Sequence, residues 1–175
     1  ITLNRTKRSE GYFFKILYAG HKILTYVFTG KLIKFGNYSC IPKSDVAKLV
    51  KEACIWSSFS GSVTKIISER VSVPSIRGQR YFGPSQMNLF NLLIHSFSII
   101  AVFKSTVIVR SIIFSIFYLF LFYNNFSIIT LLPVLFVFVF LILILKVSSR
   151  ENIQELNSSL ENIESIDTLS NFNSR

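Results

Sequence analysis

The sequence predicts a small mixed α/β segment that runs into an interfacial helix and then a two-helix membrane hairpin. Three observations carry this. Half of the 175 residues are hydrophobic and 18 are Phe, too apolar for an ordinary small soluble domain. The apolar residues concentrate in two runs, 106–123 and 126–145, whereas short helical and strand-favouring pieces alternate over residues 1–84. Charge is partitioned the same way: 15 basic against four acidic residues over 1–104, two basic and no acidic over 105–147, and two basic against five acidic over 148–175. Within the net charge of +10, that makes a basic segment, an apolar anchor and an acidic tail.

Residues 10–29 place apolar side chains at 13, 14, 16, 17, 23, 24, 27 and 28, a helical pattern that Gly30 is suited to end as a C-cap. Arg5, Lys7 and Arg8 lie just ahead of it. Residues 32–41 hold short β-favouring pieces around a Gly36-Asn37 turn signal. Residues 42–53 read as a helix entered through P-K-S-D, 57–69 as a weaker helix, and 71–75 as a short strand. The mixture is α/β, but small and irregular for a complete domain. Residues 85–104 are strongly apolar, with polar side chains gathered at 85, 86, 88, 91, 95, 96 and 98. Such a helix suits the headgroup plane, directly ahead of a span, better than a soluble core. His95 on it reads as a packing or interfacial residue.

At about 1.5 Å per residue the runs 106–123 and 126–145 reach roughly 27 and 30 Å, the thickness of a bilayer core. Asn124-Asn125 is the polar break between them, which predicts a tight hairpin. Lys104, Arg110, Lys146 and Arg150 all lie at the ends away from that break, so the positive-inside tendency puts both chain termini in the cytoplasm. Arg110 can snorkel to that interface, and Pro133 is a kink that a helical pair tolerates. The tail, 148–175, spaces Ile153, Leu156, Leu160, Ile163, Ile166 and Leu169 at three- and four-residue steps, which permits a short amphipathic helix or a self-pairing coil, hence a homo-oligomer. The sequence opens on Ile with no signal-peptide pattern and reads as a piece of a longer chain.

Several chemistries find no support in the residue patterns. Cys40 and Cys54 form no metal-ligand spacing with His21 and His95 and read as structural thiols. Asp45 and Asp167, the only aspartates, are far apart and make no Asp-x-Asp pair. The run G-K-L-I-K-F-G lacks the Lys-Ser/Thr that ends a phosphate-binding P-loop. No nucleic-acid recognition module is readable, so membrane proximity accounts for the basic charge and no nucleic-acid partner is expected.

The most informative stretch is R-G-Q-R-Y-F-G-P-S-Q-M from Arg77 to the start of the apolar helix. Guanidinium groups stay charged and bind phosphate bidentately. Arginines on a glycine-bearing loop at a membrane surface therefore suit a lipid with a phosphate head, while a basic loop that merely meets anionic lipid is the simpler reading. Together with G-N-Y-S-C-I-P-K-S-D-V-A-K-L-V from Gly36, and Trp56 in polar surroundings, the run V-P-S-I-R-G-Q-R-Y-F-G-P-S-Q-M-N from Val73 resembles the C-terminal third of family 2 glycosyltransferases. The similar branch is the membrane-tethered one, with dolichol- and polyprenol-phosphate sugar synthases and bacterial surface-polysaccharide transferases. The resemblance covers residues 5–110.

That resemblance implies that residues 1–84 are the acceptor-side, C-terminal part of a GT-A-like nucleotide-diphospho-sugar transferase domain. It implies transfer of a sugar from a nucleotide-sugar to a lipid-linked, polyprenyl-phosphate-type acceptor or a surface glycan. Arg80 matches the family's phosphate-contacting arginine, Gly83 and Ser85 match the glycine and serine of the same loop, and Arg77 gives weaker help. Arg5 and Arg8 fall near basic positions of the acceptor loop. Gln86 stands where the family usually has lysine, and the G-N-Y-S run from Gly36 lacks the arginine of the dolichol-type enzymes, so acceptor identity does not transfer. A divalent metal, Mg or Mn, is expected for the intact enzyme with its ligands and the catalytic base upstream of Ile1, and the 175 residues alone are expected to be inactive. The rival expectation is a non-enzymatic, membrane-anchored interaction protein whose basic segment docks on lipid.

Overall fold

A computed structural model of the chain describes residues 1–7, 12–76 and 89–162. Its first part is a three-stranded sheet, β1 (Thr2–Lys7), β2 (Phe35–Ser39) and β3 (Ser72–Ile76), in the order β2-β1-β3. β1 pairs antiparallel with β2 and parallel with β3. The central strand is built from residues that the sequence reading treated only as a basic approach to the first helix. Thr2, almost fully buried, fixes its start by donating its backbone N–H to the Val71 carbonyl at 2.8 Å.

The Gly36-Asn37 pair does not form the expected turn. Both residues lie inside β2, in an irregularity between the pairs Thr2↔Ser39 and Asn4↔Phe35. Glycine here permits a bulge, which bends the strand without reversing it. Pro74 pairs opposite Asn4 in β3, an edge strand, where its missing N–H leaves no ladder bond unmade.

The helices follow the apolar periodicity closely. Helix α1 (Tyr12–Thr29) ends at Gly30, whose φ of +69° is the left-handed C-cap conformation, with its N–H donating to the Tyr26 carbonyl at 2.7 Å. Helix α2 (Lys43–Leu49) begins after Pro42, a residue suited to a helix start, and carries an Asp45–Lys48 ion pair at 2.8 Å. A 3-10 turn (Ala53–Trp56) leads into α3 (Phe59–Ile66), capped by Ser58 Oγ, which accepts the Gly61 N–H at 3.2 Å. The far end of α3 is closed by the Arg70 guanidinium, which donates to the carbonyls of Val63, Thr64 and Ile67.

Helices α4 (Leu89–Ala101), α5 (Lys104–Leu121) and α6 (Ile128–Ser148) complete the main body, and a short α7 (Ile153–Ser158) starts the tail. Asn152 caps α7 by accepting from the N–H groups of Gln154 and Glu155. Four elements meet in the larger core: Phe28 of α1, Ile100 and Ala101 of α4, Val107 of α5, and Val137, Phe140 and Ile144 of α6. On α6 these buried positions recur at three- and four-residue steps, one stripe of an otherwise exposed apolar helix. Phe140 is clasped by aromatic rings, 4.3 Å from Phe28 and edge-on to Phe97 at 5.6 Å between centroids. A second cluster joins Cys54 to Val102 and Phe103, the two-residue break between α4 and α5. Gly61 of α3 approaches the same break so closely that a Cβ there would lie 3.0 Å from Val102. The α/β part is thus seated on the base of the helical part.

Helices α5 and α6 are long and apolar enough to cross a membrane. Only 11% and 17% of their most apolar windows are buried in the protein, whereas a soluble core helix would be mostly covered. Ser127 N–H donates to Thr130 Oγ1 at 2.8 Å and starts α6 after the 122–127 connection. The helix runs on through Pro133.

Candidate functional site: the arginine-rich segment and its flanking elements

Arg77, Arg80, Gly83, Ser85 and Gln86, and Arg8 at the other end of the chain, lie outside the described residues. Arg5 is placed only by its backbone, opposite Ser75 in the parallel pair β1–β3. The structure does fix the two described elements on either side of the arginine-rich segment: β3, an edge strand, ends at Ile76, and α4 begins at Leu89. The last turns of α4 are fully packed against α6, with Ile100 and Ala101 at zero exposure. The helix that follows the arginine-rich segment is therefore anchored at the base of the apolar hairpin.

Two polar anchors hold that base, neither of them evident from the sequence. Glu151, just past α6, accepts from Lys104 Nζ at 2.8 Å, from Ser57 Oγ at 3.0 Å and from Ser148 Oγ at 3.4 Å. Its side chain is only 8% exposed, and a carboxylate withdrawn from water needs such partners. The contacts tie the ends of α5 and α6 to the α/β part. The only available signal was an acid that directly follows a basic-flanked apolar run.

Arg110 is the second anchor. Its guanidinium donates to the Val27 carbonyl at 2.9 Å, which answers one of the unpaired carbonyls at the C-terminus of α1 and favours the negative end of that helix. The group lies so near Gly30 that a Cβ on that residue would stand 2.6 Å from Arg110 Nη2. The expected snorkelling arginine thus meets a protein partner, and Gly30 serves both the left-handed cap and this close approach.

His95 lies on α4, and desolvation by its surroundings lowers its pKa from the usual imidazole value. Ser96 and Ser98 beside it are buried but satisfied, each donating at 2.8 Å to the carbonyl four residues earlier. Cys54 is buried and accepts from Ser62 Oγ at 3.3 Å, while Cys40 is an exposed free thiol. An open cleft of about 620 Å³ at the start of β1 is lined by Asp45, Glu69 and Arg70 among others. Asp45 is already paired with Lys48, and Arg70 with the end of α3. Among the described residues no three His, Cys, Asp or Glu side chains gather to hold a metal ion.

The chain matches no family model, no curated protein and no solved structure.

Proposed function

We propose that the chain is the acceptor-side segment and membrane anchor of a glycosyltransferase of the family 2, GT-A type, acting on a lipid-linked acceptor with a phosphate head. The observation that carries this reading is an order of parts: an edge strand, a sequence segment with Arg77, Arg80, Gly83 and Ser85, an apolar helix, and two helices long enough to cross a membrane. In such an enzyme an acceptor oxygen bonds to the anomeric carbon of a nucleotide-sugar. The bond from that carbon to the nucleotide diphosphate breaks, and the diphosphate leaves with the electron pair. The share assigned to this chain is to hold the anionic acceptor, with Arg80 foremost. The described residues do not fit the divalent metal that this chemistry implies, so no step is assigned to a metal held here. Helices α5 and α6 span the bilayer as a hairpin, with both chain termini on the cytoplasmic side.

The test is photo-crosslinking of the 175-residue chain, in nanodiscs, to a photoreactive polyprenyl phosphate. A charge-assisted contact is worth about 1.5–3 kcal/mol, so Arg80→Ala should weaken labelling roughly ten- to hundredfold. Arg80→Lys, which keeps the charge but loses the planar fork, should weaken it less. Lys51→Ala, on an exposed lysine, controls for general loss of charge. Equal labelling of Arg80→Ala and Lys51→Ala would overturn the assignment and favour an anchored interaction protein with a lipid-facing basic patch.

A further inference from the structure

Helix α1 is apolar on two opposite faces, and only one of them is covered. Thr25, Phe28 and Thr29 are buried, with Leu24 against the same core. On the other side Tyr12, Ile16, Ile23, Tyr26 and Val27 are each more than half exposed. At 100° per residue these five fall in a single stripe about a third of the helix circumference wide; between them stands only the exposed Ala19, and the exposed Gly20 lies at the border away from the lysines. Lys15 and Lys22 fall together along one border of it.

The stripe lies beside the apolar hairpin. The Val27 carbonyl is bonded to Arg110 of α5, and the neighbours of that arginine, Val109, Ile112 and Ile113, are also more than half exposed. The end of α1 is thus held where α5 passes from Lys104 into apolar surface that the protein leaves uncovered. An apolar stripe with a lysine border is the pattern of a helix lying in the plane of an anionic membrane surface. A second copy of the chain docked antiparallel on the same face would bring lysine border against lysine border, which is unfavourable.

We propose that α1 lies in the headgroup region of the bilayer with its outward stripe buried in lipid, and that anionic lipid is the partner of its Lys15–Lys22 border. The chain then grips the membrane by an interfacial helix well upstream of the hairpin. The inference rests on the reading of α5 and α6 as spans, and the experiment separates the two.

Trp56 is the only tryptophan, so Trp56→Phe provides a background in which one tryptophan can be placed at will. Four variants are made in it, Ile16→Trp, Ile23→Trp, Phe120→Trp on the hairpin and Tyr38→Trp on the sheet, all at exposed positions. Each is reconstituted as the full chain in vesicles of phosphatidylcholine and phosphatidylglycerol with bromine high or low on the acyl chain, with circular dichroism as a check on folding. The Ile16 and Ile23 variants should emit at shorter wavelength than the Tyr38 variant and lose most of their emission to shallow bromine, less to deep bromine. The Phe120 variant, near the far end of the 106–123 run, should be quenched by bromine with or without phosphatidylglycerol. Omitting phosphatidylglycerol should reduce the quenching of the two α1 variants alone. If both α1 variants are as unquenched as Tyr38→Trp while Phe120→Trp is quenched, α1 does not lie in lipid. Blue-shifted but unquenched emission would mean that protein covers the stripe, and it would equally overturn the proposal. If Phe120→Trp is also unquenched, the hairpin reading fails first.

Discussion

At residue scale, the two polar anchors make different predictions because their environments differ. Glu151 is nearly withdrawn from solvent and has three side-chain partners, whereas the side chain of Lys104 is 43% exposed. Removing the carboxylate leaves Ser57 and Lys104 short of an acceptor, but the lysine can turn to water. Glu151→Ala should therefore destabilise by about 1–3 kcal/mol, and Lys104→Ala by at least as much, because it strands a carboxylate only 8% exposed without its cation. Urea titration of the chain in detergent micelles, followed by circular dichroism, checks both. A negligible effect of Lys104→Ala would mean that the carboxylate is better solvated than its burial implies.

Gly30 and Arg110 form a coupled pair. Gly30→Ala should cost about 1–2 kcal/mol for the left-handed φ, plus the displacement of a guanidinium 2.6 Å from the new methyl group. In an Arg110→Ala background the collision is gone and only the backbone term remains. A double-mutant cycle should thus give less than the sum of the single effects. Strict additivity would show that the arginine moves aside freely.

At the scale of elements, α6 combines one packed stripe with a wide uncovered surface. Ile144 is fully buried, whereas Ile129 is 76% exposed. Ile144→Ala should cost about 2–4 kcal/mol through lost contacts and an unfilled cavity, and Ile129→Ala should leave the stability of the helical part nearly unchanged. The hairpin itself predicts that reporter fusions after Asn125 and after Arg175 fall on opposite sides of the membrane. Both fusions on one side would rule out two spans.

At the scale of the whole molecule, the charge gradient and the apolar hairpin describe a chain that should partition into membranes on its own. Sugar transfer is a different matter. The described residues bring no carboxylates together around a metal-sized site, and the proposal gives this chain acceptor binding alone. Purified 175-residue chain, incubated with labelled nucleotide-sugars and polyprenyl phosphate in nanodiscs, is expected to transfer no sugar. Robust transfer would place the catalytic groups within this sequence and require a new assignment of the site.

Legibility followed the range of the interactions. The helical stretches at α1, α2, α3, α5 and α6 were readable because periodicity, helix-start signals and Gly30 act within a few residues. The candidate phosphate-binding residues were readable as a motif only, since Arg77, Arg80, Gly83 and Ser85 lie outside the described residues. Strand β1 escaped because T-L-N-R-T-K has little apolar alternation. Its strand identity comes from neighbours 31–37 and 69–70 positions away, and the same long-range pairing turned Gly36-Asn37 from a turn into part of a strand.

The sequence by itself determined which segments are helical, where apolar surface is concentrated and how charge is divided, since these are properties of composition and local spacing. Only the tertiary structure decided that Glu151 meets Ser57 across 94 positions, that Arg110 closes α1 across 83, and which face of α1 the core covers. Spacing along a helix shows that two apolar faces exist. Which of them finds a protein partner depends on contacts between residues far apart in the chain, and no local pattern encodes those.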